Sequence, residues 1–194
     1  MHPFIIEMHI IIRKELCYGG LISMPNQVVL LKQWDDKWGD YPYAYSTIAA
    51  SGCGPTCFTM IANYYGINIK PPQAADFSII NGFYPTPKGT SLDFFAAAGQ
   101  HFGIPIQQTT DCAKVLLALL AGIPCIGAHG PGEFSTKEHF ILYAYITGNH
   151  QVMVYDPKRT DTCKLYPWDF LVGDNLSNGY VAFIPCPKIP SKDS

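Results

Sequence analysis

Ser51-Gly52-Cys53-Gly54-Pro55-Thr56-Cys57, continued by Phe58-Thr59-Met60-Ile61-Ala62-Asn63-Tyr64-Tyr65, reads as a cysteine set between two glycines at the opening of an apolar helix. Gly52 and Gly54 allow a tight bend and leave the sulfur uncrowded. Pro55 suits the first turn, where its missing N–H breaks no bond. Cys57, Met60, Ile61 and Tyr64 then recur at helical spacing as one buried stripe, and Gly66 is placed to end the helix. A thiol at such a position meets unpaired N–H groups and the positive end of the helix dipole, both of which favour the thiolate. Cys53 is therefore the candidate nucleophile, and Cys57, one turn deeper, a core residue.

Outward from this helix the pattern changes character. Gln27 to Gln33 is apolar and β-branched, as in a strand, and Asp35 to Ala50 is aromatic and turn-rich, as in a loop. Pro72 to Asn81 reads as a second helix. Ser91 caps a third, running to Gly103, and Asp111 caps a fourth, ending at Gly122. From there short apolar runs predict strands at Pro124–Ala128, His139–Ile146, Gln151–Tyr155, Cys163–Tyr166 and Tyr180–Ile184. Helices first and strands afterwards predict an α+β fold, with the Cys53 helix on one wall of a cleft and an antiparallel sheet on the other.

The chain has 194 residues, enough for one domain with a substantial core. A net charge of −2 supplies no attraction for nucleic acid or an anionic membrane surface, and no apolar run is long enough to span a membrane. Residues 1–24 read as an N-terminal extension, 25–188 as the domain and 189–194 as a polar tail. The extension is apolar first and basic afterwards, at Arg13 and Lys14, the reverse of a secretory signal. Seven irregularly spaced cysteines argue for free thiols rather than a disulfide scaffold, and with the missing signal they favour the cytoplasm, with the cell envelope or secretion as the alternative compartments. Cys112, Cys125, Cys163 and Cys186 lie in apolar surroundings and are expected to be small buried hydrophobes.

A cysteine nucleophile needs a base, and the base needs an orienting group. Of the six histidines, His139 heads an apolar strand at the end of a loop, whereas His150 falls in a hairpin turn and His129 in a Gly-rich loop. Asp156 follows the next strand. Either two-residue loop between the strands, Thr147-Gly148 or Gly148-Asn149, puts Asp156 on the same face as His139; a three-residue loop does not. Acyl transfer further needs donors for an oxyanion. The N–H of Cys53 is one candidate and the amide of Gln33, just before an aromatic loop, another. Taken singly, each partner has a purely structural reading: His139 as a strand-end residue, Asp156 as a turn start, Gln33 as a loop amide.

Together Gln33 in KQWDDKWG, Cys53 in SGCGPT, His139 in EHFILYAY and Asp156 in VMVYDP resemble the stand-alone cysteine peptidases related to the domains that cut double-glycine leader peptides, within the papain-like clan. The resemblance runs from about Gln27 to Ile184. It implies a papain-like α+β fold with Cys53 as nucleophile, His139 as general base and acid, Asp156 as the residue orienting the histidine and Gln33 as the oxyanion amide. The implied substrate is a peptide or protein, with no cofactor. Glu138 departs from the glycine that many relatives carry before the histidine. An amine acceptor in place of water would make the same residues a transpeptidase or acyltransferase, and a papain-like domain kept for binding would use the Trp34 to Tyr45 loop. A zinc site on Cys53 and Cys57 lacks a second close Cys/His pair. Neither cleavage specificity nor oligomeric state follows from the sequence.

Overall fold

The structure is a computed structural model that describes residues 27–84, 89–174 and 181–186. The N-terminal extension, with Cys17, His2 and His9, and the polar tail lie outside the described residues, as does Tyr180 of the last predicted strand. A two-stranded hairpin (β1, Pro42–Tyr43; β2, Ser46–Thr47) leads into a one-turn helix, α1 (Ile48–Ser51). Then come α2 (Cys53–Tyr64), α3 (Pro71–Ile80), α4 (Asp93–His101), β3 (Ile106–Thr109), α5 (Cys112–Leu120), β4 (Cys125–His129), β5 (His139–Ile146), β6 (Gln151–Tyr155), β7 (Leu165–Pro167), α6 (Trp168–Asp174) and β8 (Ala182–Pro185). The six larger strands form one antiparallel sheet in the order β3-β8-β4-β5-β6-β7.

The apolar run of β5 is continuous because both of its faces are covered. Phe140, Leu142 and Ala144 join the core beneath α2 and α4, while Ile141 and Tyr143 join a second core with Val115 and Leu119 of α5 and Leu171 of α6. Phe95 of α4 packs its ring 4.9 Å from Phe140 and 4.2 Å from Phe183, which locks the helical layer onto the sheet. Asp111 caps α5 as its sequence predicts, accepting from the N–H groups of Ala113 and Lys114.

The expected strand over Gln27–Gln33 is not one. The segment is irregular and ends in a turn at Gln33, without a ladder partner among the described residues, with Val28 in the core and the Leu31 N–H against Met60 Sδ. Val28, Leu30 and Leu31 pack on the core that includes α2, while Val29 is exposed, so the burial these side chains find comes without a sheet edge. The loop expected over Asp35–Ala50 contains the β1–β2 hairpin and α1, and the helix expected from Pro55 begins two residues earlier, at Cys53 itself. β3 was not evident from sequence because Ile-Gln-Gln-Thr is a polar edge strand with only Ile106 buried.

The β5–β6 hairpin holds the most consequential difference. Thr147 N–H donates to the carbonyl of Gln151, closing a three-residue loop, Gly148–His150, with His150 in the left-handed region (φ 57°). That is the spacing expected to set His139 and Asp156 on opposite faces. A β-bulge between Tyr143 and Tyr145 adds one residue to β5 and reverses the parity, so that Tyr155 pairs with Leu142. Asp156 therefore falls across from Ile141, diagonal to His139 and on its face.

Candidate active site

Cys53 is the first residue of α2, and Gly52 and Gly54 beside it are buried. A Cβ on Gly54 would meet the Thr90 side chain at 2.8–3.0 Å, so the approach of Thr90 to the helix start requires glycine there. Cys53 as a whole is half-buried. Burial by its neighbours pushes the thiol pKa up, but the hydrogen bond and charge of His139 and the N–H groups of Phe140 and Gly54 outweigh it, leaving the thiol below its ordinary 9.0. Cys57 is fully buried one turn on and donates its S–H to the Phe140 carbonyl at 3.4 Å; burial holds it far above the usual thiol range. The two thiols differ as the sequence predicts.

His139 begins β5 and is nearly buried. Its Nε2–H donates to Asp156 Oδ1 at 2.8 Å. That bond leaves Nδ1 for the hydrogen bond with Cys53. Burial alone would lower the imidazole, yet Asp156 and Cys53 together raise it to about 9. Asp156 is fully buried and accepts three further bonds, from Lys158 N–H (2.8 Å) and Arg159 N–H (3.0 Å) to Oδ1 and from the Thr162 hydroxyl (2.7 Å) to Oδ2. These donors and the imidazole offset its desolvation and hold the carboxyl below its ordinary value. Thr162 gave no sequence signal: a threonine six residues after an aspartate matters only because the 156–163 loop curls back on itself.

Gln33 is fully buried. Its Nε2 donates to the carbonyls of Ala49 (2.6 Å) and Ile48 (3.3 Å) in α1, the turn that immediately precedes Cys53. Its Oε1 has no partner among the described residues, and its backbone N–H donates to the Pro157 carbonyl, next to Asp156. The segment bearing Gln33 thus bridges the Cys53 and Asp156 elements. Glu138, beside His139, is exposed.

The other candidates part company with the cleft. His101 stacks on Phe77 and His150 lies in the exposed hairpin turn. His129, expected in a loop, is the last residue of β4 and fully buried. The six cysteines within the described residues are free, but only Cys57 and Cys125 are buried; Cys112 and Cys163 are half-buried and Cys186 is exposed. The expectation of four buried hydrophobes therefore fails for three. Cys163 lies instead in the Asp156 loop, its sulfur accepting from the Asp156 N–H at 3.2 Å, and Cys186 follows the edge-paired strand β8. Among the described residues no three His, Cys, Asp or Glu side chains are grouped to hold a metal ion, and no helix is long and apolar enough to cross a membrane.

The sequence model of the Peptidase_C39-like family matches residues 25–178. The chain belongs to that family. This Peptidase_C39-like protein is accordingly a cysteine-type peptidase. Its fold is similar to the peptidase domain of Streptococcus ComA, a bi-functional ABC transporter involved in a quorum-sensing pathway, with a TM-score of 0.59 at 16% identity over 83% of this chain and 99% of that one. A double-glycine-motif protease from an AMS/PCAT transporter, solved in complex with the leader peptide, is similar with a TM-score of 0.51 at 16% identity over 70% of this chain and 84% of that one. No curated protein matches the chain.

Proposed function

We propose that this Peptidase_C39-like protein hydrolyses peptide bonds through a Cys53–His139–Asp156 triad and an acyl-enzyme. The observation that carries the reading is the use of the two His139 ring nitrogens, Nε2 on Asp156 and the other on Cys53, with the thiol lowered and the imidazole raised. That pairing makes a thiolate–imidazolium couple ready at neutral pH. The thiolate attacks the substrate carbonyl and forms the C–S bond. The His139 proton passes to the leaving amine as the C–N bond breaks. Water, deprotonated by His139, then attacks the thioester and returns the thiol. Asp156 holds the ring in one tautomer throughout. The leader peptide bound by the AMS/PCAT protease supports a peptide as substrate here.

The oxyanion is received by the Cys53 N–H at the helix start and by Gln33 Nε2. The 3.3 Å contact of that amide with Ile48 is the longer of its two bonds and is the one a substrate oxygen replaces. The test is a peptide-library digest with wild type and Cys53→Ala side by side. Cleavage by wild type only is the expected result, and equal cleavage by both removes the reading. Added amines in the same digest report whether an acceptor other than water is used.

A further inference from the structure

A second buried histidine lies against the site and is not used in the chemistry. His129 and His139 are directly paired across β4 and β5, and the loop 130–138 joins them. His129 Nδ1 is 2.6 Å from Asp174 Oδ2 at the end of α6, and Nε2 is 2.7 Å from the Tyr143 hydroxyl on β5. A carboxylate only accepts, so Nδ1 donates; Nε2 of the neutral ring then accepts from Tyr143. Desolvation keeps His129 neutral against the pull of Asp174. Two glycines leave room for the network. A Cβ on Gly127 would come within 3.0 Å of His129 Nε2, and one on Gly132 within 2.6 Å of Asp174 Oδ1.

The same network grips the loop that leads to His139. Phe134, in the middle of the loop, is fully buried with its ring 4.7 Å from that of His129. Glu133 donates its backbone N–H to Asp174, and its carbonyl accepts from Arg159 Nη1 at 2.8 Å. Arg159 in turn donates its N–H to Asp156. The loop is therefore held at its root, at Gly132–Glu133 and at Phe134, and the hold continues into the carboxylate that orients His139.

We propose that the His129–Asp174 pair is a positioning device for His139: by fixing loop 130–138 it sets where β5 begins and hence where the His139 ring meets Cys53. The inference rests on the reading of His139 as the base. Neutrality is part of the device, because a charge on His129 would sit directly across from the His139 imidazolium and weaken it. The groups that face His129 are Asp174 from α6, Tyr143 and His139 from β5, and Asp156 beyond β6.

Asp174→Ala and Tyr143→Phe each remove one contact of the His129 ring. The readout is the rate of Cys53 alkylation by iodoacetamide against pH in the full chain, with thermal melting measured alongside. A loosened His139 supports the thiolate less well, so the acid limb of the profile moves up by about half to one pH unit in both variants. Turnover of a cleaved peptide falls about tenfold in kcat with KM nearly unchanged. His129→Gln, which retains an amide donor toward Asp174, recovers part of what His129→Ala loses. Wild-type profiles in Asp174→Ala and Tyr143→Phe, even with lowered melting temperatures, would overturn the inference and leave His129 a core residue. His139→Ala is run in parallel. Unchanged alkylation and turnover there refute the triad itself, whereas their loss there beside wild-type profiles in the other two refutes the positioning role alone.

Discussion

Replacing Asp156 by asparagine keeps the outline of the side chain and removes its charge, which separates orientation from electrostatics. The amide oxygen can still accept from His139, Lys158 and Arg159, and the Thr162 hydroxyl can turn to the Arg159 carbonyl 3.3 Å away. The fold should therefore survive. His139 stands at about 9 against an ordinary 6.5, and with about 1.4 kcal/mol per pH unit the two anions beside it favour the imidazolium by about 3 kcal/mol beyond its desolvation. An adjacent opposite charge moves a pKa by about one unit or more, so loss of the carboxylate should lower the imidazole by roughly one pH unit. Above the His139 pKa the leaving amine finds no proton, so activity in the wild type falls as pH rises through about 9. In Asp156→Asn the same decline should be centred near pH 8, with Cys53 still alkylated at pH 7. The assay is initial-rate peptide cleavage and iodoacetamide alkylation, each from pH 5 to 10. An alkaline limb that stays where it is would refute the assignment of the His139 shift to Asp156. Asp156→Ala is a different experiment, because it strands His139 and three loop donors in a buried space at about 1–3 kcal/mol for each one left unsatisfied.

Cys53→Ala and His139→Ala should each abolish turnover with circular dichroism close to wild type, and His139→Ala, which leaves the buried Asp156 carboxylate without its imidazole, should also lower the melting temperature. Gln33→Ala should lower kcat by about 10²–10³ without slowing alkylation of Cys53, as a donor that acts only on the oxyanion requires; unchanged kcat excludes it from that role. Gly54→Ala puts a methyl group at 2.8–3.0 Å from Thr90 and should cost about 1–3 kcal/mol in chemical denaturation. Thr90→Ser in the same chain removes one of the crowding atoms and should restore part of that loss. Phe95→Ala, which opens a hole between α4 and the sheet, should destabilise by about 3–5 kcal/mol with the alkylation profile of the remaining folded protein unchanged.

What could be read from the sequence depended on how local the controlling interaction is. The Cys53 helix was legible because glycine, proline and a 3.6-residue apolar stripe act within a dozen residues, and the Asp111 cap because its partners are two and three residues on. Thr162, Arg159 and Asp174 were not legible. Each acts through a contact that exists only after a loop has closed: Thr162 on a carboxylate six residues back, Arg159 on the carbonyl of Glu133, Asp174 on a histidine 45 residues earlier. The Gln27–Gln33 segment misled for the opposite reason. Its side chains have strand character, but their burial is supplied by Met60 and its neighbours on α2, a surface the local pattern does not reveal.

The His139–Asp156 pairing is the instructive case, because a sound rule reached the right contact through the wrong loop. Strand parity requires an even offset between the two residues, and a two-residue turn would supply it. The chain instead uses a three-residue turn, in which His150 takes a left-handed backbone, and adds a residue to β5 at Ala144–Tyr145. Two one-residue departures cancel, so His139 and Asp156 share a face while Tyr143 and Ile146, three apart, both stay in the second core. The bulge is thus what permits this turn together with this site. Tyr143, the residue immediately before it, is also the hydroxyl that holds His129 Nε2. The irregularity that aligns the candidate triad lies against the network that anchors the loop before it, so a change in turn length would disturb both at once.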